Sequence, residues 1–222
     1  MKLLHFADAH IDWLVEESFA AIPQLHPAVA QVIPVAVRRW RKAVLRGSTW
    51  RQVQAVRAQL QAAHYDHVID CQGLLKSAWL TRWARSVGTV VSGPDRNSAR
   101  EPLAARFYDR RVSVARTLHA IERNRRIGAA ALGYAINGAP QFGLHAPSST
   151  PPPTPTAVLL TNASRATKLW PDAHWHAVEH ALAARGISSV LFWGGGTEQT
   201  DTERRARGMQ RATVAARCGL QQ

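Results

Sequence analysis

The chain has 222 residues, 24.4 kDa and 46% hydrophobic content, enough to furnish a packed core in one large or two small domains. Its 28 lysines and arginines against 15 acids leave a formal charge of +13, which implies an anionic partner: nucleic acid, a phospholipid surface or a phosphorylated small molecule. Cys71 and Cys218 stand apart without a CxxC or His/Cys cluster, arguing against a disulfide framework or a zinc site; no apolar run is long enough to cross a membrane, and Asp8, His10 and Asp12 interrupt any secretory h-region, so a cytoplasmic protein is expected.

In chain order, residues 11–15 read as a short strand and VIPVAV, residues 32–37, as a second that runs into a basic cluster. Arg38, Arg39, Arg41 and Lys42 fall within five positions around Trp40, with no acid among them. Cations so spaced repel one another, and arginine binds phosphate bidentately while tryptophan favours membrane interfaces. The segment therefore suits a phosphorylated amphiphile or a nucleic-acid backbone. Val53, Val56, Leu60 and Ala63 recur at helical spacing within residues 50–64; residues 66–73 read as a buried strand entering a loop, 74–85 as a helix and 87–93 as a strand. Arg100 adds a cation from the loop after Gly93, and residues 101–108 and 119–132 are expected to be helical with arginine-rich outer faces. Asp70 and Glu101 read as ion-pair partners rather than bases.

The proline, glycine and serine of NGAPQFGLHAPSSTPPPTP cannot hold a helix or a central strand, so residues 137–156 are expected to link a domain of residues 1–136 to one of residues 157–222. Beyond it come an expected strand at 157–164, an amphipathic helix at 172–185 and a strand at 188–196 ending in glycines. Residues 198–218 read as a basic helix that closes no second sheet. TNASRATKLWP, residues 161–171, is a loop between strand and helix. The helix-start amides, the hydroxyls of Ser164 and Thr167 and the ammonium of Lys168 could together bind a diphosphate. The same pattern also describes a capped helix with a solvated lysine. Glu198 follows Gly194-Gly195-Gly196 at the carboxyl end of the next strand, where it could accept hydrogen bonds from a ribose; a simple turn is the alternative, and the run is not a GxGxxG fingerprint. The histidines fall into no metal or triad spacing.

Taken in order, IDWLVEESF, VIPVAVRRWRKA, YDHVIDCQGLLKSA, AREPLAARFYDRR, HAIERNR, TNASRATKLWPDAHW and VLFWGGGTE resemble the lipopolysaccharide heptosyltransferase I enzymes of glycosyltransferase family 9. That resemblance implies an α/β fold of GT-B type, two Rossmann-like domains facing a cleft, with no metal or other cofactor. It implies transfer of heptose from ADP-heptose onto Kdo2-lipid A at the inner face of the inner membrane, with peripheral contact to that membrane and no nucleic-acid partner. Arg38, Arg39, Arg41, Lys42 and Arg100 fall on the acceptor side of the pattern. Ser164 and Lys168 match the donor-diphosphate motif, and Glu198 the acid at the adenosine ribose.

Two parts of the family pattern have no counterpart here: an opening strand and SxGD-like loop that carries the catalytic base, and a DTGLSHLAAA-like motif that grips the donor phosphates. The resemblance therefore leaves the base unassigned and implies a chain truncated at both ends, with impaired turnover, since general-base help is worth roughly 10² to 10⁴ in rate. Two other readings stand beside it. One is a non-catalytic protein using the basic surface for anionic lipid or nucleic acid, with steep salt dependence; the other is a GT-B enzyme that takes a different sugar nucleotide.

Overall fold

The computed structural model describes residues 9–145, 152–163 and 165–217, which divide into two units, residues 1–145 and 146–222. In the first unit β1 (Asp12–Glu16) and β2 (Gln31–Val35) pair in parallel, Asp12 opposite Gln31 and Glu16 opposite Val35. Alternation along β2 turns Ile33 and Val35 inward while Pro34 stays exposed. The chain then enters α1 (Val37–Lys42), so the basic cluster is helical, and Val37, expected to close the strand, opens the helix instead.

Helical geometry separates the cluster's charges from its tryptophan. Arg38, Arg39, Arg41 and Lys42 are exposed, whereas Trp40 is only 8% exposed and packs with Ile33, Val35, Leu60, Leu80 and Trp83. Its indole N–H donates to Gln52 Oε1 at 3.0 Å, satisfying the one polar atom that burial would strand. The expectation that Trp40 meets a membrane interface is thus corrected: it is a core residue. Gln52 belongs to α2 (Gly47–Ala62), which buries Thr49 and Leu60 and lays Val53 and Val56 on the same core, a stripe at helical spacing.

A second parallel sheet of the first unit has the order β3 (His67–Ile69), β4 (Val90–Pro94), β5 (Arg110–Val112). Between β3 and β4 lies α3 (Leu75–Thr81), and Ala78, Val91, Ala104, Ala105 and Tyr108 close a core between helix and sheet. Residues 101–108, expected as an α-helix, form a 3-10 helix (Pro102–Phe107). β5 lies where no strand was expected. After it, α4 (Ala120–Leu132) packs against all three strands. The helix opens with the His119 ring accepting from the Ile121 amide and closes at Gly133 (φ 72°), whose N–H returns to the Ala129 carbonyl. Part of the stretch expected to be linker belongs to this unit: the His145 amide donates to the Leu25 carbonyl at 2.8 Å.

The second unit repeats the logic with β6 (Thr156–Leu159), α5 (Asp172–Ala183), β7 (Ser188–Leu191), α6 (Gly196–Ala206) and β8 (Ala212–Val214). Its strands are parallel in the order β6-β7-β8, with α5 on β7 and α6 on β8. β8 corrects the reading of residues 198–218 as one helix. The helix ends at Ala206, and Glu179 of α5, with 0% exposure, accepts the amides of Gln210 (2.9 Å) and Arg211 (2.7 Å), steering the chain into the sheet. Among the described residues, no helix is long and apolar enough to cross a membrane.

Candidate functional site

The exposed face of α1 lines an open groove of about 470 Å³ formed by Arg38, Arg39, Lys42, Ala43 and Arg46. Arg46 was not among the expected cations; it stands one turn further on, at the N-cap of α2, where the loop folds it back beside Lys42. The cluster is acid-free in sequence but not in space. Parallel pairing brings the end of β1 beside the end of β2, so Arg39 donates to Glu17 through Nε (3.1 Å) and Nη2 (2.8 Å), and to Gln52 Oε1 through Nη1 (3.0 Å). The Arg39 hydrogen bonds hold the Glu17 carboxyl below its ordinary range. Glu16 accepts the Arg38 backbone N–H at 3.3 Å.

Arg38, Arg41, Lys42 and Arg46 make no ion pair among the described residues. Arg39, Arg41 and Lys42 lie in the last turn of α1, where the negative end of the helix dipole offsets some of their mutual repulsion. What remains is a groove with excess positive charge facing water, suited to phosphate or carboxylate groups. Arg100 is exposed on the loop after β4, beyond a turn in which Asp95 accepts the Ser98 amide at 2.8 Å; no hydrogen bond joins it to α1 among the described residues.

Asp70 is buried and fully engaged: it accepts from the Gln72 amide, Ser77 Oγ and Tyr108 Oη at 2.8, 2.8 and 2.7 Å. Burial, with the adjacent Asp70 charge, pushes the Tyr108 phenol far up. Glu101 accepts the Leu75 amide and so caps α3. Both carboxylates organise loops through these bonds.

In the second unit the loops after β6 and β7 leave the same carboxyl edge of a parallel sheet, the edge at which open α/β sheets bind ligands. Asn162 ties them together, donating to the Phe192 carbonyl (3.2 Å) and to Thr202 Oγ1 of α6 (2.9 Å). Lys168 ends a 3-10 turn (Ala166–Lys168), exposed and without an ion pair among the described residues. Ser164 lies outside the described residues. The start of α5 is less available to phosphate than expected. Its first residue, Asp172, carries a charge of the wrong sign and is bonded to Arg204 and, at 2.8 Å, to Arg205, whose hydrogen bond holds the carboxyl below its ordinary range. The cations of this loop are therefore Arg165 and Lys168, both exposed and without an ion pair among the described residues. Glu198, in the first turn of α6, accepts the Gly194 amide on Oε2 at 2.7 Å, which leaves Oε1 as an acceptor for a hydroxyl.

Against known proteins, residues 53–222 match the model of glycosyltransferase family 9 (heptosyltransferase). Lipopolysaccharide heptosyltransferase 1 of Pseudomonas aeruginosa is 46% identical over 94% of this chain, and that of Escherichia coli K12 is 42% identical over 95%. The chain spans 59% of the length of the former and 66% of the latter. Among solved structures, E. coli heptosyltransferase WaaC with ADP superposes with a TM-score of 0.88 at 39% identity, covering 98% of this chain and 68% of that one. The same enzyme with ADP-2-deoxy-2-fluoro heptose gives 0.87 at 40%, covering 98% and 70%. Parallel α/β units that superpose in this way define a glycosyltransferase of the GT-B class. Within that class, the chain belongs to glycosyltransferase family 9, the heptosyltransferases.

Proposed function

We propose that this protein acts in lipopolysaccharide inner-core synthesis, transferring L-glycero-D-manno-heptose from ADP-heptose to Kdo2-lipid A at the cytoplasmic face of the inner membrane. The observation that carries this reading is the likeness, over nearly the whole chain, to the structure of E. coli heptosyltransferase WaaC with ADP-2-deoxy-2-fluoro heptose. The division of charge supports it. The second unit presents Lys168, with Arg165 beside it, and the Glu198 carboxylate at a sheet edge, a set suited to a diphosphate and a ribose, with Ser164 as a further donor-side residue by resemblance. The first unit presents the α1 groove and Arg100, suited to a larger, multiply anionic acceptor.

In an inverting transfer a base removes the acceptor hydroxyl's proton, the freed oxygen attacks the anomeric carbon, and ADP departs with the electrons of the broken bond while cations stabilise its charge. Lys168 would serve the departing diphosphate. Arg38, Arg39, Arg41 and Lys42, with Arg100, would orient the acceptor; the base is assigned to none of the described residues.

Calorimetric titration with ADP-heptose tests the reading. Binding is expected, with Lys168→Ala weakening it about tenfold, the loss of one charge-assisted hydrogen bond. Equal affinity for other sugar nucleotides, or no ADP-heptose binding, would overturn it. Heptose transfer by this chain would in addition place the base among its own 222 residues.

A further inference from the structure

The loop from α1 to α2 turns its apolar side chains outward. Leu45 is 97% exposed, Val44 52%, and Trp50, on the first turn of α2, 56%. Leu45 directly precedes the N-cap Arg46, and Trp50 is the fourth helical residue. An apolar pair at those positions ordinarily closes into a hydrophobic staple. The exposure of Leu45 shows that it stays open. The Trp50 indole N–H instead donates to the Val44 carbonyl at 2.8 Å, which pins the ring beside the tip and satisfies its polar edge internally. Arg41, Lys42 and Arg46, which make no ion pair among the described residues, flank this tip, and Arg51 is exposed behind it.

An apolar point bearing a tryptophan and ringed by unpaired cations is complementary to one surface above others. Leucine and valine enter the acyl boundary, tryptophan lies at the interface, and cations meet the lipid phosphates. We propose that the α1–α2 loop is a docking tip for an anionic phospholipid bilayer. This rests on the proposed transfer to a lipid-linked acceptor and deepens it. The cationic groove opens from the same few residues, Lys42, Ala43 and Arg46, so docking would hold its mouth at headgroup depth, where the sugars of a membrane-embedded acceptor emerge.

Co-sedimentation with phosphatidylcholine vesicles, with and without phosphatidylglycerol, tests the tip. The protein is expected to bind the anionic vesicles, more weakly as salt rises. Leu45→Glu should cut that partition about tenfold or more, the transfer free energy of one leucine, with circular dichroism and ADP-heptose affinity unchanged. Leu45→Trp should keep it. Undiminished vesicle binding by Leu45→Glu would overturn the proposal, as would equal binding to neutral vesicles. Self-association that Leu45→Glu abolishes, without vesicle binding, would also overturn it and assign the tip to a second copy. Because donor binding is read separately, loss of the tip and loss of the transferase reading are distinguishable.

Discussion

Arg39, Arg41 and Lys42 are near neighbours of the same charge, yet the fold gives them different work. Arg39 is neutralised by Glu17, 22 residues away in sequence. Arg41 and Lys42 have no such partner among the described residues. Arg41→Ala and Lys42→Ala are accordingly expected to weaken Kdo2-lipid A binding by about tenfold each, the worth of a charge-assisted hydrogen bond. Arg39→Ala should cost less, and Glu17→Gln should tighten binding by releasing the Arg39 charge; titration of each variant with the acceptor checks the order. An equal effect of all three alanine substitutions would refute the distinction. The cluster itself was legible because its cations are contiguous. Its counter-charge was not, because nothing local tells which acid a parallel pairing will carry alongside.

At the scale of elements, the sequence disclosed those long enough to show periodicity. α2 and α4 repeat their apolar residues over several turns, and their positions follow from that pattern. β5 and β8 are three residues each and carry no usable period. β8 exists because a buried carboxylate on another helix receives the backbone just before it. Glu179→Ala is therefore expected to destabilise the second unit by about 3 kcal/mol, since two hydrogen bonds to a charged group are lost. Urea unfolding measures this, and faster amide exchange at Ser189 and Ala215, both bonded across the β7–β8 pair, would localise it. In the first unit, a Cβ added at Gly93 of β4 would come within 2.5 Å of the Tyr108 ring, whose hydroxyl is anchored on Asp70. Gly93→Ala should cost about 1–3 kcal/mol through overpacking; an unchanged urea midpoint would show that the ring can yield.

Across the whole molecule, the shifted carboxylates act in one direction. Glu17 is held low by Arg39, Asp109 by the Val91 amide and Asp172 by Arg205. A carboxyl whose folded value lies below its unfolded one takes up protons more readily in the unfolded state as pH falls. Its contribution is present above the ordinary carboxylate value, about 4, and is lost as pH drops through the folded value. Thermal stability is expected to be nearly level from neutrality to about pH 5 and to decline below it, with a shallower decline in Asp172→Asn. A steep loss between about pH 7 and 6 would point to the histidines instead.

The buried Arg205 has a mechanical consequence. It is 6% exposed and holds Asp172 through Nε and Thr161 Oγ1 through Nη1, at 2.8 and 2.9 Å. Thr161 and Asp172 are the two feet of the segment that bears Lys168. That segment is thus an arch whose two feet share the Arg205 guanidinium, with Arg204 on Asp172 and the Asn162 bonds to Phe192 and Thr202 as further ties. Drawing the feet apart would break the Arg205 bonds, so on the proposed reading Lys168 would serve a donor diphosphate with both ends of its segment anchored.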